Sequence, residues 1–282
     1  MVTLRKVDST TSLLLFVYNN YFSEYNKDIL KLSSLLEIMK SFGKSESATR
    51  MSLSRTVKAG ILVNQNLKNE VYYSLAANGK HAIRIWNSQI RRFWQRYALR
   101  HQPWDQKWHL LNLNFTEDNK DSRSDVVERL KQIGFVLLSA NTWISPYNQP
   151  KEIEELLTEF NISQSAVEMH GEMTIYRDTE SFVESVFHMK DLEEPYKQFV
   201  ETFQVRFEET KKICQEEPFI REGKALPLMH ALGWEFFFIA AEDAALPIAL
   251  HPHWAGDEAA RLMREYRFIL LDATKKYLEK FE

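Results

Sequence analysis

The sequence SESATRMSLSRTVKAG, residues 45–60, predicts a short helix with a defined start and end. Ser45 or Ser47 can cap the free amides of the first turn, and the charge of Glu46 suits the positive end of the helix. Gly60 is the type of residue that ends a helix in the left-handed conformation. Three apolar side chains are expected to face the interior at helical spacing: Met51, Leu53 and Val57.

The flanking sequence predicts two more helices before this one and a hairpin after it. Residues 12–22 and 29–39 have apolar side chains at helical spacing, and Gly43 is expected to end the second helix. Two β-prone runs, 61–63 and 71–75, enclose a polar turn and read as a hairpin. Three helices followed by a hairpin indicate a winged helix-turn-helix domain.

The helix at 45–60 carries side chains of the kind that read DNA from the major groove. Arg50 is the best candidate for a bidentate contact to guanine, and Arg55 and Lys58 suit backbone phosphates. The other candidates on this helix have hydroxyl groups: Ser47, Thr49, Ser52 and Ser54. Three candidates lie in the polar turn at 64–69: Gln65, Asn66 and Lys68. The alternative is that the hydroxyls are caps, the arginines are solvated surface residues, and the domain binds proteins.

Composition and charge favour a protein that binds a polyanion. The 282 residues are 44% hydrophobic and 27% charged, without an apolar run long enough to cross a membrane. Residues 1–102 contain 16 Lys and Arg against 6 Asp and Glu, a net +10, whereas the other 180 residues contain 20 against 33, a net −13. A basic segment on an acidic carrier is typical of a nucleic-acid-binding module. The single cysteine, Cys214, excludes an internal disulfide and points to the cytoplasm.

The middle of the chain predicts a ferredoxin-like domain. Residues 79–101 form a predicted basic and aromatic helix that Pro103 should end. The order that follows is strand, helix, strand, strand, helix, strand. These elements are expected at 108–115, 121–133, 135–138, 142–144, 151–160 and 166–173.

Three long helices complete the predicted α+β fold, at 191–214, 226–241 and 257–280. The expected organisation has four parts. They are a winged helix-turn-helix domain (1–80), a basic linker helix (81–102), a ferredoxin-like central domain (103–178) and a helical C-terminal domain (179–282).

Three groups of residues, in colinear order over nearly the whole chain, resemble the PaaX-like family of phenylacetic-acid-degradation repressors. The first group is Ala48-Thr49-Arg50, Leu53-Ser54-Arg55 and Val57-Lys58-Ala59-Gly60. The second is Trp104-Asp105-Gln106-Lys107-Trp108, Gly134-Phe135 and Trp143-Ile144-Ser145-Pro146. The third is Leu246-Pro247, Leu250, Pro252, Trp254 and Gly256. The chain departs from the family where Ala244, not proline, follows Asp243, and at Trp234-Glu235-Phe236-Phe237-Phe238.

The resemblance implies a repressor that binds a palindromic double-stranded DNA operator as a homodimer and is released by an aryl-acyl-CoA such as phenylacetyl-CoA. It also implies a Cas2-like central domain. An acyl-CoA needs cations for its phosphates and an apolar pocket for its acyl group. Candidates for the cations are Arg91, Arg92, Arg96 and Arg100. Candidates for the pocket are Trp234, Phe237, Trp254 and Tyr266. The alternative is that these arginines contact DNA and these aromatics belong to the core.

Other function classes have weaker support. His230, His251 and His253 are common metal-ligand types but have no cysteine or carboxylate cluster nearby in sequence. A Cas2-like nuclease would use carboxylates after the first strand, where Glu117 and Asp118 lie, but paired acids in a polar turn are usually solvated. Because no catalytic triad or glycine-rich phosphate loop is evident, we expect neither an enzyme nor a cofactor or metal.

Overall fold

The computed structural model describes residues 9–25, 29–117, 120–176 and 178–281. The chain divides into two compact units, each built from separated segments. The first unit contains Met1–Asn87, Phe199–Phe236 and Ala259–Glu282, and the second contains Ser88–Gln198 and Phe237–Glu258. The four-part division along the sequence stays a prediction.

The first unit begins with the predicted winged helix-turn-helix. Its elements are α1 (Thr10–Tyr25), β1 (Ile29–Lys31), α2 (Leu32–Ser41), α3 (Glu46–Lys58), β2 (Leu62–Leu67) and β3 (Glu70–Leu75). The three strands form an antiparallel sheet in the order β1-β3-β2. Residues Leu13 to Tyr18 are all buried, which is expected of a helix that is apolar all round. Three helices and a hairpin are therefore present as predicted.

Two details of this domain correct the sequence prediction. Residues 29–31 are not helical: they form β1, with Ile29 opposite Ser74 and Lys31 opposite Tyr72. The predicted turn at 64–69 is shorter, because Lys68 and Asn69 alone connect β2 to β3. Both have positive φ, 50° and 66°, as a two-residue hairpin turn requires for its twist to match that of the strands.

The rest of the first unit is helical. It contains most of α8 (Met189–Ile213), α9 (Glu217–Arg221), most of α10 (Ala225–Ala240) and most of α11 (Ala255–Leu278). Helices α8 and α11 pack through Phe207 and Tyr266, whose ring centroids are 5.3 Å apart. The hydroxyls of Thr210 and Tyr266 are 2.8 Å apart in the same buried contact. The three long helices predicted for this region are confirmed.

The second unit contains the four-stranded sheet. After the second half of α4 (Ala77–Arg100) come β4 (Trp108–Leu113), α5 (Arg123–Gln132), β5 (Val136–Ser139), β6 (Thr142–Ser145), α6 (Pro150–Glu159), β7 (Ala166–Gly171) and α7 (Thr179–Phe187). The strand order is β5-β6-β4-β7, with every neighbouring pair antiparallel. This is the ferredoxin-like order. Two small antiparallel sheets in a largely helical chain confirm the α+β prediction.

One face of this sheet forms a core with α5 and α6. Leu111 and Leu113 of β4 and Trp143 of β6 pack there against Val126, Leu130, Ile153 and Leu156. Helix α7 packs on the opposite face of the sheet, where Phe182 and Phe187 contact Trp108. No helix in the described ranges is both long and apolar enough to cross a membrane.

Candidate nucleic-acid interface

A tight turn places α3 after α2. The backbone turns at Gly43, which has φ +71°, and Ser45 then starts α3. The Ser45 hydroxyl oxygen accepts a hydrogen bond from the Ala48 amide at 3.2 Å, so the cap predicted from the sequence is present. The last turn of α3 contains Arg55 and Lys58, whose positive charges suit the negative end of the helix.

The inner face of α3 has small hydroxyl residues. Thr49, Ser52 and Thr56 are buried beside Leu53. Thr49 donates to the Ser45 carbonyl at 3.0 Å, and Thr56 donates to the Leu53 carbonyl at 2.8 Å. Because these hydroxyls are satisfied within the helix, they can face the interior without a penalty for an unmade hydrogen bond.

This burial corrects the predicted reading face. Thr49 and Ser52 are 0% and 6% exposed, so in this structure they do not reach the surface on which DNA would lie. Ser52 instead lies 3.3 Å from the Thr11 hydroxyl of α1. Met51, predicted to be internal, is 51% exposed and belongs to the outer face. The sequence pattern gave no signal for the exposure of Met51, because an apolar side chain at helical spacing is expected in the core.

The outer face of α3 is predominantly basic. Its exposed members among the predicted contacts are Ser47, Arg50, Ser54, Arg55 and Lys58. Glu46 is the single acid of the helix, and its carboxylate lies 3.9 Å from the Arg50 guanidinium. Both side chains are more than half exposed, so this ion pair is weak and Arg50 can exchange it for another acceptor. Arg55 donates to the Met51 sulfur at 3.4 Å.

The wing presents the other three predicted contacts. Gln65, Asn66 and Lys68 are all exposed, the first two on β2 and Lys68 in the turn. The nearest acid, Glu70, is paired with Lys31 at 2.7 Å. This hydrogen bond with Lys31 lowers the pKa of Glu70, and the Tyr72 hydroxyl adds to the shift. Lys68 therefore lies in the wing turn, two residues before a carboxylate that is paired with Lys31.

The predicted phosphate-binding arginines of α4 have different environments. Arg91 is exposed, whereas Arg92 is half-buried and donates to the Gln132 side chain at 2.9 Å. Arg96 is only 3% exposed and donates to the backbone carbonyls of Gln132 and Asp243. A phosphate cannot reach Arg96 in this arrangement, which corrects the expectation that it serves the effector.

Arg96 belongs to a buried polar cluster that orders the segment before α11. The Asp243 carboxylate accepts hydrogen bonds from the Tyr196 hydroxyl at 2.9 Å and from the Trp254 indole at 3.2 Å. Burial raises the pKa of Tyr196 well above its ordinary value, and the adjacent Asp243 charge raises it further. In the same region Arg100 is fully buried and pairs with Asp257 at 2.6 Å. The sequence identifies Arg100 as a candidate cation but not its partner, because Asp257 is 157 residues away in the chain.

The four predicted pocket aromatics divide between the two units. In the first unit, Tyr266 is fully buried and Trp234 packs beside His230. In the second, Phe237 contacts Phe93 and Trp94 edge-on, and Trp254 is held by Asp243. The second unit also has a surface pocket of about 370 Å³. The described residues that line it, Met173, Thr174, Ile175, Tyr176 and Phe182, include none of the predicted effector contacts.

The residues considered for metal or nuclease chemistry are scattered. His230 lies in an aromatic cluster of the first unit, with Phe16 4.8 Å from its ring. His251 contacts Trp254 in the second unit, and His253 is exposed. Glu117 pairs with Lys120, while Asp118 lies outside the described residues. Within the described ranges, no three acidic, histidine or cysteine side chains are arranged to hold a metal ion.

Comparison with known proteins supports the resemblance. Residues 9–79, the winged helix-turn-helix, match the family described as PaaX-like protein. Residues 101–183, which include the four-stranded sheet, match the PaaX protein central Cas2-like domain. Together the two matches cover more than half of the chain.

A solved structure has a similar fold. The uncharacterized protein Rv0674 from Mycobacterium tuberculosis is similar to this chain with a TM-score of 0.59. The similarity covers 96% of this chain and 98% of that one at 15% sequence identity, so it supports the fold and not a shared ligand. No curated protein matches the sequence significantly. The two family matches, in the order of the resembling motifs, show that this chain belongs to the PaaX-like family and is a regulator of that type.

Proposed function

We propose that this protein is a cytoplasmic DNA-binding transcriptional repressor that reads a double-stranded operator with α3 and the wing. The observation that carries the proposal is the outer face of α3. There Arg50, Arg55 and Lys58 are exposed together, opposed by Glu46 alone, on a helix that follows the helix-turn-helix turn. An exposed basic helix in this position is the element that enters the major groove in winged helix-turn-helix proteins.

The three cations suit different parts of a duplex. Arg50 lies in the N-terminal half of α3, where a guanidinium can donate two hydrogen bonds to guanine and discriminate by about 1–3 kcal/mol. Arg55 and Lys58 lie in the last turns and suit phosphates, as does Lys68 on the wing. Ser47 and Ser54 supply shorter polar contacts, and Gln65 and Asn66 extend the contact along β2. Thr49 and Ser52 are left out because they are buried.

Operator recognition is proposed to use two copies of the chain. A symmetric dimer presents two α3 helices to half-sites about 34 Å apart, or a multiple of that distance, which makes the operator palindromic. Two basic faces neutralise twice as many phosphates, so the affinity is expected to fall steeply with salt.

The proposed effector is an acyl-CoA thioester, with phenylacetyl-CoA as the first candidate. Arg91 is exposed and Arg92 is half-buried, so these two remain for the CoA phosphates after Arg96 is excluded. Of the four aromatic residues predicted to contact the acyl group, Trp234 and Phe237 are half-buried, whereas Trp254 and Tyr266 are buried. The effector can weaken DNA binding only if it binds the conformation that cannot bind DNA more tightly than the conformation that can.

The test is fluorescence anisotropy of the full chain with duplex DNA from upstream of its own gene, at several salt concentrations, with and without phenylacetyl-CoA. Sequence-specific binding with a steep salt dependence, lost when the thioester is added, is the expected result. Specific binding that ignores phenylacetyl-CoA would support the regulator and overturn this effector. Binding that is equal for all sequences and insensitive to salt would contradict the proposal and favour a winged helix that binds proteins.

A further inference from the structure

The outer face of α3 has one apolar side chain, Met51, among polar and charged ones. Helix α3 lies wholly within the described ranges, and its exposed residues are Glu46, Ser47, Arg50, Met51, Ser54, Arg55 and Lys58. Met51 is 51% exposed. Single exposed apolar residues are common on protein surfaces, so exposure alone indicates no function. What distinguishes Met51 is its position on the helix.

Met51 lies near the middle of the outer face. The buried side of α3 is marked by Thr49, Ser52, Leu53 and Thr56. Because successive residues of an α-helix are rotated by about 100°, Met51 points about 30° from the direction opposite this buried side. Arg50 and Arg55 point about 70° from the same direction, one on each side. Met51 therefore lies between the proposed guanine contact and a proposed phosphate contact, where a base edge lies when such a helix enters the groove.

The neighbours of Met51 leave its apolar surface exposed between two cations. Its sulfur accepts a hydrogen bond from the Arg55 guanidinium at 3.4 Å. A thioether sulfur is a weak acceptor, so this contact orients Arg55 but contributes little free energy. The Arg50 guanidinium, on the other side, lies 3.9 Å from the Glu46 carboxylate. An apolar group approached from outside thus meets Met51 first.

The major groove of DNA offers an apolar group that fits this position. Base pairs present hydrogen-bond donors and acceptors at their edges, and a thymine adds its C5-methyl group. The flexible, polarisable side chain of methionine adapts well to such an apolar contact. A purely polar base edge would instead be covered by Met51 without a hydrogen bond, which costs free energy. Thymine is therefore the base that Met51 favours.

We infer that Met51 is a specificity-determining residue of the operator contact and reads the C5-methyl group of one thymine in each half-site. The inference rests on the proposed function, because it requires α3 to lie in the major groove. It adds a base that each half-site must contain and a type of contact that the polar residues of α3 cannot make. Arg50 selects guanine by hydrogen bonds, whereas Met51 selects thymine by contact between apolar groups.

The test compares thymine with deoxyuridine, which forms the same base pair but lacks the methyl group. The probe is the duplex that the full chain selects from a randomised DNA pool, and each of its thymines is replaced in turn. For the wild-type chain, one replacement in each half-site should raise the Kd by about threefold to tenfold, as expected for the loss of one methyl contact. Fluorescence anisotropy measures the Kd for each duplex.

Variants at position 51 connect the methyl group to this side chain. Met51→Ala should bind the thymine and deoxyuridine duplexes with equal Kd, whereas Met51→Leu, which keeps the apolar volume, should retain the difference. Alanine favours the helix, so the circular dichroism spectrum should not change. Val205→Ala is the matched control. It shortens another exposed apolar side chain, on α8, and should retain the full difference between the two duplexes.

The outcomes separate this inference from the proposed function. Specific binding that no deoxyuridine replacement weakens would overturn the thymine contact and keep the regulator. The inference is also overturned if Met51→Ala weakens binding to both duplexes but retains their difference, since Met51 would then only position Arg55. If the wild-type chain selects no sequence from the pool, the proposed function fails and the inference fails with it.

Discussion

The fully buried guanidinium of Arg100 is held by the carboxylate of Asp257 through two hydrogen bonds, 2.8 Å from Nε to Oδ1 and 2.6 Å from Nη2 to Oδ2. Arg100 also donates to the Leu246 carbonyl at 2.5 Å and to the His251 carbonyl at 2.9 Å. One side chain at the end of α4 therefore ties together the segment 246–251 and the first turn of α11.

Asp257→Asn is expected to destabilise the protein by about 3 kcal/mol, because it leaves a buried cation without its counter-charge. Urea unfolding followed by circular dichroism measures the loss. The control is Asp272→Asn, which breaks the exposed pair with Lys276 on the same helix and should cost at most about 1 kcal/mol. Equal losses in the two variants would show that the Arg100 pair contributes no more than a surface ion pair.

Arg50→Ala should reduce the preference for operator over random DNA by roughly tenfold to a hundredfold, because it removes the proposed guanine contact. Lys58→Ala should instead weaken binding to both DNAs and lower the salt slope by about one. Anisotropy titrations on both duplexes measure these effects. Lys212→Ala, an exposed lysine on α8, is the control and should change neither. Normal operator preference in Arg50→Ala would mean that another residue reads the bases.

Ser45→Ala should destabilise the first unit by about 1 kcal/mol, because the Ala48 amide loses its capping acceptor. Ser54→Ala is the matched control: it makes the same change on the exposed face of the same helix, where alanine is the better helix former. Chemical denaturation measures the free energy of unfolding of both variants. If Ser54→Ala loses as much stability as Ser45→Ala, the cap is not what stabilises the start of α3.

His109 makes stability depend on pH. Burial lowers the pKa of His109 below its ordinary value, and both ring nitrogens lack a hydrogen-bond partner among the described residues. As pH falls from 7 through the ordinary histidine pKa of about 6.5, the unfolded chain takes up a proton that the folded chain does not. The free energy of unfolding should therefore decrease over this interval.

In His109→Leu the free energy of unfolding should fall less between pH 7 and pH 5. Part of the fall that remains is expected to come from His251, whose pKa is also lowered by burial. Denaturation curves at pH 7, 6 and 5 provide the measurement, and His81→Leu, at an exposed position, is the control. An unchanged pH slope in His109→Leu would contradict the assignment.

Much of the fold follows from local patterns. The Ser45 cap, the helix stop at Gly43, and the strand and helix order of 108–173 are all present as predicted. These features depend on interactions within a few residues, namely backbone capping and the period of apolar side chains, which are visible in a single sequence. The exposed Arg50 and the polar wing were found in the same way.

The errors at the predicted site residues concern which side chains tertiary packing buries. Thr49 and Ser52 look like surface hydroxyls but are buried in the folded chain, Ser52 against Thr11 of α1. Arg96 looks like a surface cation, but it is buried and donates to the carbonyls of Gln132 and Asp243. Local sequence patterns could not predict these contacts, because Arg96 and Asp243 are 147 residues apart in the chain. The strand order that leaves β7 at an open edge is also set by long-range pairing. The sequence by itself determined most of the helices and strands and the basic charge of α3, because these depend on residues close together in the chain, and its motifs identified the family. Only the tertiary structure decided which faces and edges stay exposed, because burial depends on partners distant in the chain.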